Sequence, residues 1–181
     1  VWSIQSAVGV TIEDNDVTDF EIGYNLWNNP TTSTITVDGG LVSGGAIGLV
    51  ATNFQSTYLD ASPSSYAVNN VTFLASTVRG LMVEDSPSNT NSATVHVDVA
   101  NCFFSSCTQG AQITGSTGDA TATITQNSFT ATASTAIQNL DPTTTTFAEC
   151  NWYGIFFEIF VTPQISGNVD YVPWLTSGAD I

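Results

Sequence analysis

The 181-residue sequence predicts an all-β solenoid, a parallel β-helix of about six coils, on three observations. First, a pattern of apolar, two polar, Asn, any residue, apolar recurs six times, and its clearest copy is Ile124-Thr125-Gln126-Asn127-Ser128-Phe129. The copies start at residues 12, 37, 68, 99, 124 and 148, so the steps are 25, 31, 31, 25 and 24 residues, a period that marks stacked coils. Second, the residues ahead of each copy mostly alternate inward and outward character with the period of two that a half-buried strand requires. Third, no segment sustains a helical period over about eleven residues, so the coils should contain strands and turns only.

Taken in order, residues 1–7 read as the tail of one coil. Val8, Val10 and Ile12 then alternate with Gly9 and Thr11 as a strand. No amphipathic helix stands ahead of it, and solenoid ends need covering, so the first coil is expected to stack on something outside the 181 residues. Two residues before each copy stand Val10, Ile35, Tyr66, Val97, Ala122 and Thr146, which should point inward. The columns one and three before should point outward, and they are mostly threonine, interrupted by Ala67, His96, Asp98 and Phe147. The turn inside each copy is assigned to Asn or Gly, which accept left-handed backbone, with Asn127 making it and Asn15, Asn127 and Asn151 stacking amide on amide. A second apolar segment follows each copy, as in Gly80-Leu81-Met82-Val83. Length variation falls at one place per coil, at residues 50–65, 84–93, 114–119 and 139–145, where binding chemistry usually sits in a solenoid.

The closing segment carries a resemblance. Asn151-Trp152-Tyr153-Gly154, followed by Val169-Asp170-Tyr171-Val172-Pro173-Trp174-Leu175, resembles the Asn-Trp-Trp-Gly and Val-Asp-Tyr-Ser-Pro-Trp-Leu ending of secreted bacterial parallel β-helix repeat proteins of the pectin-lyase-like superfamily. The resemblance implies a right-handed parallel β-helix, with one domain over 1–181, coils over 1–154 and a closing segment over 155–181. Between the two halves the chain departs from the Gly- and Pro-rich loop of that family, placing Phe156, Phe157, Ile159 and Phe160 there, either to cover the last coil or to offer an apolar contact surface. Members of the family include polysaccharide lyases, hydrolases, adhesins and domains without activity, so the fold does not select a function.

Composition narrows the partners. Arg79 is the single Lys or Arg against 16 acids, a formal charge of -15, which leaves nucleic acid and anionic membranes as poor partners. No apolar run approaches the ~20 residues of a membrane span. Solvation rests on 27 Thr, 19 Ser and 14 Asn, a palette common in secreted and cell-surface β proteins. Cys102, Cys107 and Cys150 cannot all pair within one chain, and they read as small buried fillers ahead of a Cys102 to Cys107 bridge.

Candidate chemistry is sparse. The resemblance implies that a lyase would use Arg79 as its base, often with Ca²⁺ holding a uronate, yet an Arg at a turn more often donates to carbonyls. A hydrolase needs two carboxylates, and Asp98, outward beside His96, has no acid in the neighbouring coils of its column. Asp14, Asp16, Asp19 and Asp38 could supply Ca²⁺ with oxygen ligands, although no full calcium-loop spacing is present. Phe54 and Tyr58 could stack on sugars or pin their loop, and Phe156, Phe157 and Phe160 could contact a partner. Asn70-Val71-Thr72 is a formal glycosylation sequon within a strand turn. The expected function is a non-enzymatic extracellular or cell-surface structural or adhesion module, with itself, a neighbouring module or a polysaccharide as partner. The alternatives are a polysaccharide-active lyase or glycoside hydrolase and, third, an ice-binding protein with its threonine face.

Overall fold

The structure, a computed structural model, describes the backbone of residues 2–4 together with residues 9–27, 34–53, 63–85, 94–115 and 119–178. Strand β1 (Trp2–Ile4) comes first, and five three-strand coils follow it. These are β2 (Val10–Glu13), β3 (Val17–Thr18) and β4 (Ile22–Trp27), then β5 (Thr34–Asp38), β6 (Leu41–Ser43) and β7 (Ile47–Thr52), then β8 (Ser64–Asn69), β9 (Thr72–Leu74) and β10 (Arg79–Glu84). The fourth coil is β11 (Val95–Ala100), β12 (Phe103–Ser105) and β13 (Gln109–Thr114), and the fifth is β14 (Ala120–Thr125), β15 (Ser128–Thr130) and β16 (Thr135–Asn139). A sixth turn of chain holds β17 (Thr146–Phe147), helix α1 (Glu158–Val161), a 3-10 turn (Thr162–Gln164) and β18 (Ile165–Ser166), and β19 (Val169–Asp170) follows.

Like strands of successive coils pair in parallel, which makes three sheets. Sheet A runs β1-β4-β7-β10-β13-β16-β18, sheet B runs β2-β5-β8-β11-β14-β17-β19, and sheet C runs β3-β6-β9-β12-β15. The register follows the sequence repeat. Ile12 pairs with Val37, Val37 with Val68, Val68 with Val99 and Val99 with Ile124, while Thr123 pairs with Phe147 and so sets Ala148 beside Ile124. Inward columns fill one continuous core, and burying them supplies the driving force. In the third column Phe73, Phe104, Phe129 and Tyr153 stack ring on ring at 4.9, 4.7 and 5.7 Å.

Two expectations about turns and helices change. The residue that is left-handed in every copy is the third: Asp14, Gly39, Asn70, Asn101, Gln126 and Cys150 all have φ between 50° and 75°, and the fourth joins it only at Gly40. Asn127 comes one residue later and is fully buried, where its amide ties coils together. Asn127 and Asn151 do stack, with Nδ2 of Asn127 donating to Oδ1 of Asn151 at 3.1 Å. Asn15 does not join them. It is exposed and donates to the Glu13 carbonyl, because Gly40, Val71 and Cys102 occupy its column in the coils between. The closing segment contains α1, whose four residues are too few to show a period, so the expectation of strands and turns only fails there. Strand pairing also trims the first variable segment, since β7 reaches Thr52 and β8 starts at Ser64.

Cys102 and Cys107 are free and buried, as filler residues should be, and Cys150 is partly buried. The Cys102 thiol donates to the carbonyls of Ala100 and Val68 at 3.3 and 3.5 Å. Ile155, Ile165, Val169, Tyr171 and Trp174 pack against the core over the last coil, with Val161 of α1 fully buried among them.

Candidate functional site

The outward face of sheet A carries a groove, and its geometry starts from a glycine. Gly23, Gly48, Gly80 and Gly110 occupy equivalent places in their strands, and in the later three the backbone lies against the phenylalanine of the next coil, Phe73, Phe104 and Phe129. Beyond each glycine the alternation resumes, so three columns face outward. They are Ile22, Ile47, Arg79 and Gln109, then Asn25, Val50, Met82, Gln112 and Gln138, then Trp27, Thr52, Glu84 and Thr114.

The two halves of this face differ. Across β4, β7 and β10 it forms a groove of about 500 Å³ lined by Trp27, Ile22, Ile47, Val50 and Met82 with Asn25, Thr52, Arg79 and Glu84. Across β13 and β16 the same columns are closed by amides, with Gln109 and Gln112 donating to Oε1 of Gln138 at 3.0 and 2.6 Å. The groove therefore ends on a rigid polar wall. Within it, Arg79 Nη1 lies 3.8 Å from the Met82 sulfur, while buried Arg79 Nε and buried Asn25 Oδ1 have no hydrogen-bond partner among the described residues. A donor and an acceptor left unpaired beneath a groove are costly groups.

The other candidates lie elsewhere. His96 and Asp98 project outward from β11 in sheet B, with Nε2 of His96 3.0 Å from Oδ1 of Asp98 and Nδ1 2.8 Å from Oγ1 of Thr121. Asp98 stands in register between Ala67 and Thr123, so it has no carboxylate beside it in the ladder. Arg79 and the His96–Asp98 pair are thus on different sheets and do not form one site. The threonine columns of sheet B are interrupted at the same positions as in the sequence.

Asp14 and Asp19 are left-handed turn residues, Asp16 accepts the Leu41 backbone N–H at 3.0 Å, and Asp38 accepts from Asn70 Nδ2 at 2.6 Å. Each acid therefore sits in a strand turn or at its edge. Among the described residues no three His, Cys, Asp or Glu side chains group so as to hold a metal ion. Phe54 and Tyr58 lie outside the described residues. Phe156, Phe157 and Phe160 are more than half exposed, with Phe156 and Phe157 ring centroids 4.1 Å apart, so this stretch presents an apolar surface while Val161 does the covering. No helix among the described residues is long and apolar enough to cross a membrane.

Sequence reasoning missed Ile22, Asn25, Trp27, Val50, Thr52, Met82 and Glu84. Their signal was available in the outward positions of the second apolar segments, where Trp27 stands five residues after Ile22. No protein family, curated protein or solved structure matches the chain.

Proposed function

We propose that the chain is a non-enzymatic module, secreted or displayed on a cell surface, that holds an extended neutral glycan in the groove of sheet A. The groove itself carries this reading, since it joins an indole, aliphatic walls and a few polar groups over three successive coils. That mixture suits a sugar chain: an aromatic ring packs on the apolar face of a pyranose while amide, hydroxyl and guanidinium groups meet its hydroxyls. The net charge of -15 favours a neutral polymer over a uronate polymer. The exposed Phe156, Phe157, Ile159 and Phe160 give the module a second contact surface at its far end, suited to adhesion or self-association.

Titration with neutral oligosaccharides, followed by calorimetry and tryptophan fluorescence, tests the reading. Binding should weaken at least about tenfold in Trp27→Ala, the scale of losing one anchoring aromatic. Failure of every neutral oligosaccharide to bind the native chain sinks it. A polysaccharide lyase is the second reading, favoured by one observation, the buried and unpartnered Nε of Arg79 within the groove. Uronate polymers incubated with and without Ca²⁺ would then yield unsaturated products, and Arg79→Ala would abolish them.

A further inference from the structure

The corner between sheets B and C carries a motif that the groove does not use. Asn70-Val71-Thr72 joins β8 to β9, and it is the only Asn-x-Ser or Asn-x-Thr in the sequence without proline in the middle. The structure divides its three residues by role. Asn70 takes the left-handed backbone of the corner, at φ 57°, and is exposed, whereas Val71 is fully buried and Thr72 opens β9 half-buried. The corner does not itself demand this triplet. Asn101 holds the same place one coil later and is also exposed, but Cys102 and Phe103 follow it, so no hydroxyl stands two residues on.

We propose that Asn70 is a site of N-linked glycosylation, with an oligosaccharide carried on a polyprenyl pyrophosphate as the donor. Nδ2 of Asn70 forms a bond to C1 of the first sugar as the bond from C1 to the pyrophosphate oxygen breaks. The polyprenyl pyrophosphate leaves with the bonding pair, and one amide proton passes to a base of the transferase. Thr72 supplies the hydroxyl that marks Asn70 as the acceptor. The product fits the folded corner. Nδ2 donates to Oδ1 of Asp38 at 2.6 Å, and the one hydrogen left after transfer is enough to keep that bond. The backbone of the triplet is held from both neighbouring coils: the Asn70 N–H donates to the Ala100 carbonyl, the Thr72 N–H donates to the Gly40 carbonyl, and the Val71 carbonyl accepts from the Phe103 N–H. Transfer therefore belongs to the chain before its coils close. The corner joins sheets B and C, so the sugar leaves the groove of sheet A open. The inference rests on the secreted placement proposed above, not on what the groove binds.

The test is the full chain behind a cleavable secretion signal in a eukaryotic host, read by mass spectrometry of the secreted and the retained protein. The chain should gain the mass of an N-linked oligosaccharide, and peptide-N-glycosidase in heavy-oxygen water should turn Asn70 alone into labelled aspartate. Thr72→Ser should keep the modification. Thr72→Val, which leaves Asn70 and its corner in place, should abolish it, as should Asn70→Gln. An unmodified Asn70 in both protein pools overturns the proposal, as does sugar that persists in Thr72→Val. The host supplies the compartment, so an unmodified Asn70 fails this inference alone, whereas loss of oligosaccharide binding by the native chain fails the groove reading and leaves Asn70 as it is.

Discussion

At the scale of single residues, buried polar side chains decide how one coil locks onto the next. Oδ1 of Asn127 accepts the Cys102 N–H at 2.8 Å, and its Nδ2 donates to the Val99 and Thr125 carbonyls at 3.0 and 2.9 Å. Asn127→Ala leaves these groups unpaired in a dry interior, at ~1–3 kcal/mol for each group stranded. Denaturant unfolding should show a loss of about 3–5 kcal/mol, and a loss under about 1 kcal/mol would mean the ladder is ornamental. Cys102 adds a pH dependence. Burial pushes its thiol up to about 12 from an ordinary 9.0. The folded chain holds the proton more tightly than the unfolded chain, so this contribution is complete below pH 9. It drains away as the pH climbs from 9 toward about 12, at about 1.4 kcal/mol per unit. Cys102→Val, which copies Val71 one coil earlier, should flatten that alkaline limb in a stability-versus-pH series.

At the scale of strands and stacks, the glycine of one coil and the phenylalanine of the next are matched parts. A Cβ on Gly80 would stand 2.6 Å from the Phe104 ring and 2.9 Å from the Gly110 carbonyl oxygen. Gly80→Ala should therefore cost about 1–3 kcal/mol by overpacking. Phe104→Leu, harmful by itself, should cost less in the Gly80→Ala background, and a double-mutant cycle with no coupling would refute the match. The same elements show what was legible from sequence. Every inward anchor was, because strand alternation and a shared starting residue align all six copies without knowledge of the turns between them. The turn residue was not. Its left-handed position is fixed by stacking, and Gln126 and Cys150 occupy it although neither type advertises that backbone. The groove escaped for a related reason: the bend at Gly23, Gly48 and Gly80 shifts the alternation, so Ile22 and Asn25, three residues apart, face the same way. Helix α1 is one turn long and leaves no periodic trace.

At the scale of the whole molecule, a solenoid is nearly one-dimensional, since each coil touches only its neighbours. Its stability is then expected to vary along the axis, and the two ends differ. The last coil is covered by Val161 and the residues that pack beside it, whereas Val10, Ile12 and Val17 of the first coil remain partly exposed. Amides of β2 and β3 should exchange fastest among the three-strand coils, and those of β8 to β13 slowest, as the free energy of local opening grows with burial. Val161→Asp tests whether the ends act independently. Val161 is fully buried, so an unpaired carboxylate there must either lift α1 away or stay protonated at a cost, and both outcomes loosen the cover of the last coil. Exchange should then accelerate at β16 and β17 while β5 and β6 stay as they were, because nearest-neighbour coupling dies out over the intervening coils. Equal acceleration at both ends would show instead that the stacked rings and strand ladders make the five coils one cooperative block.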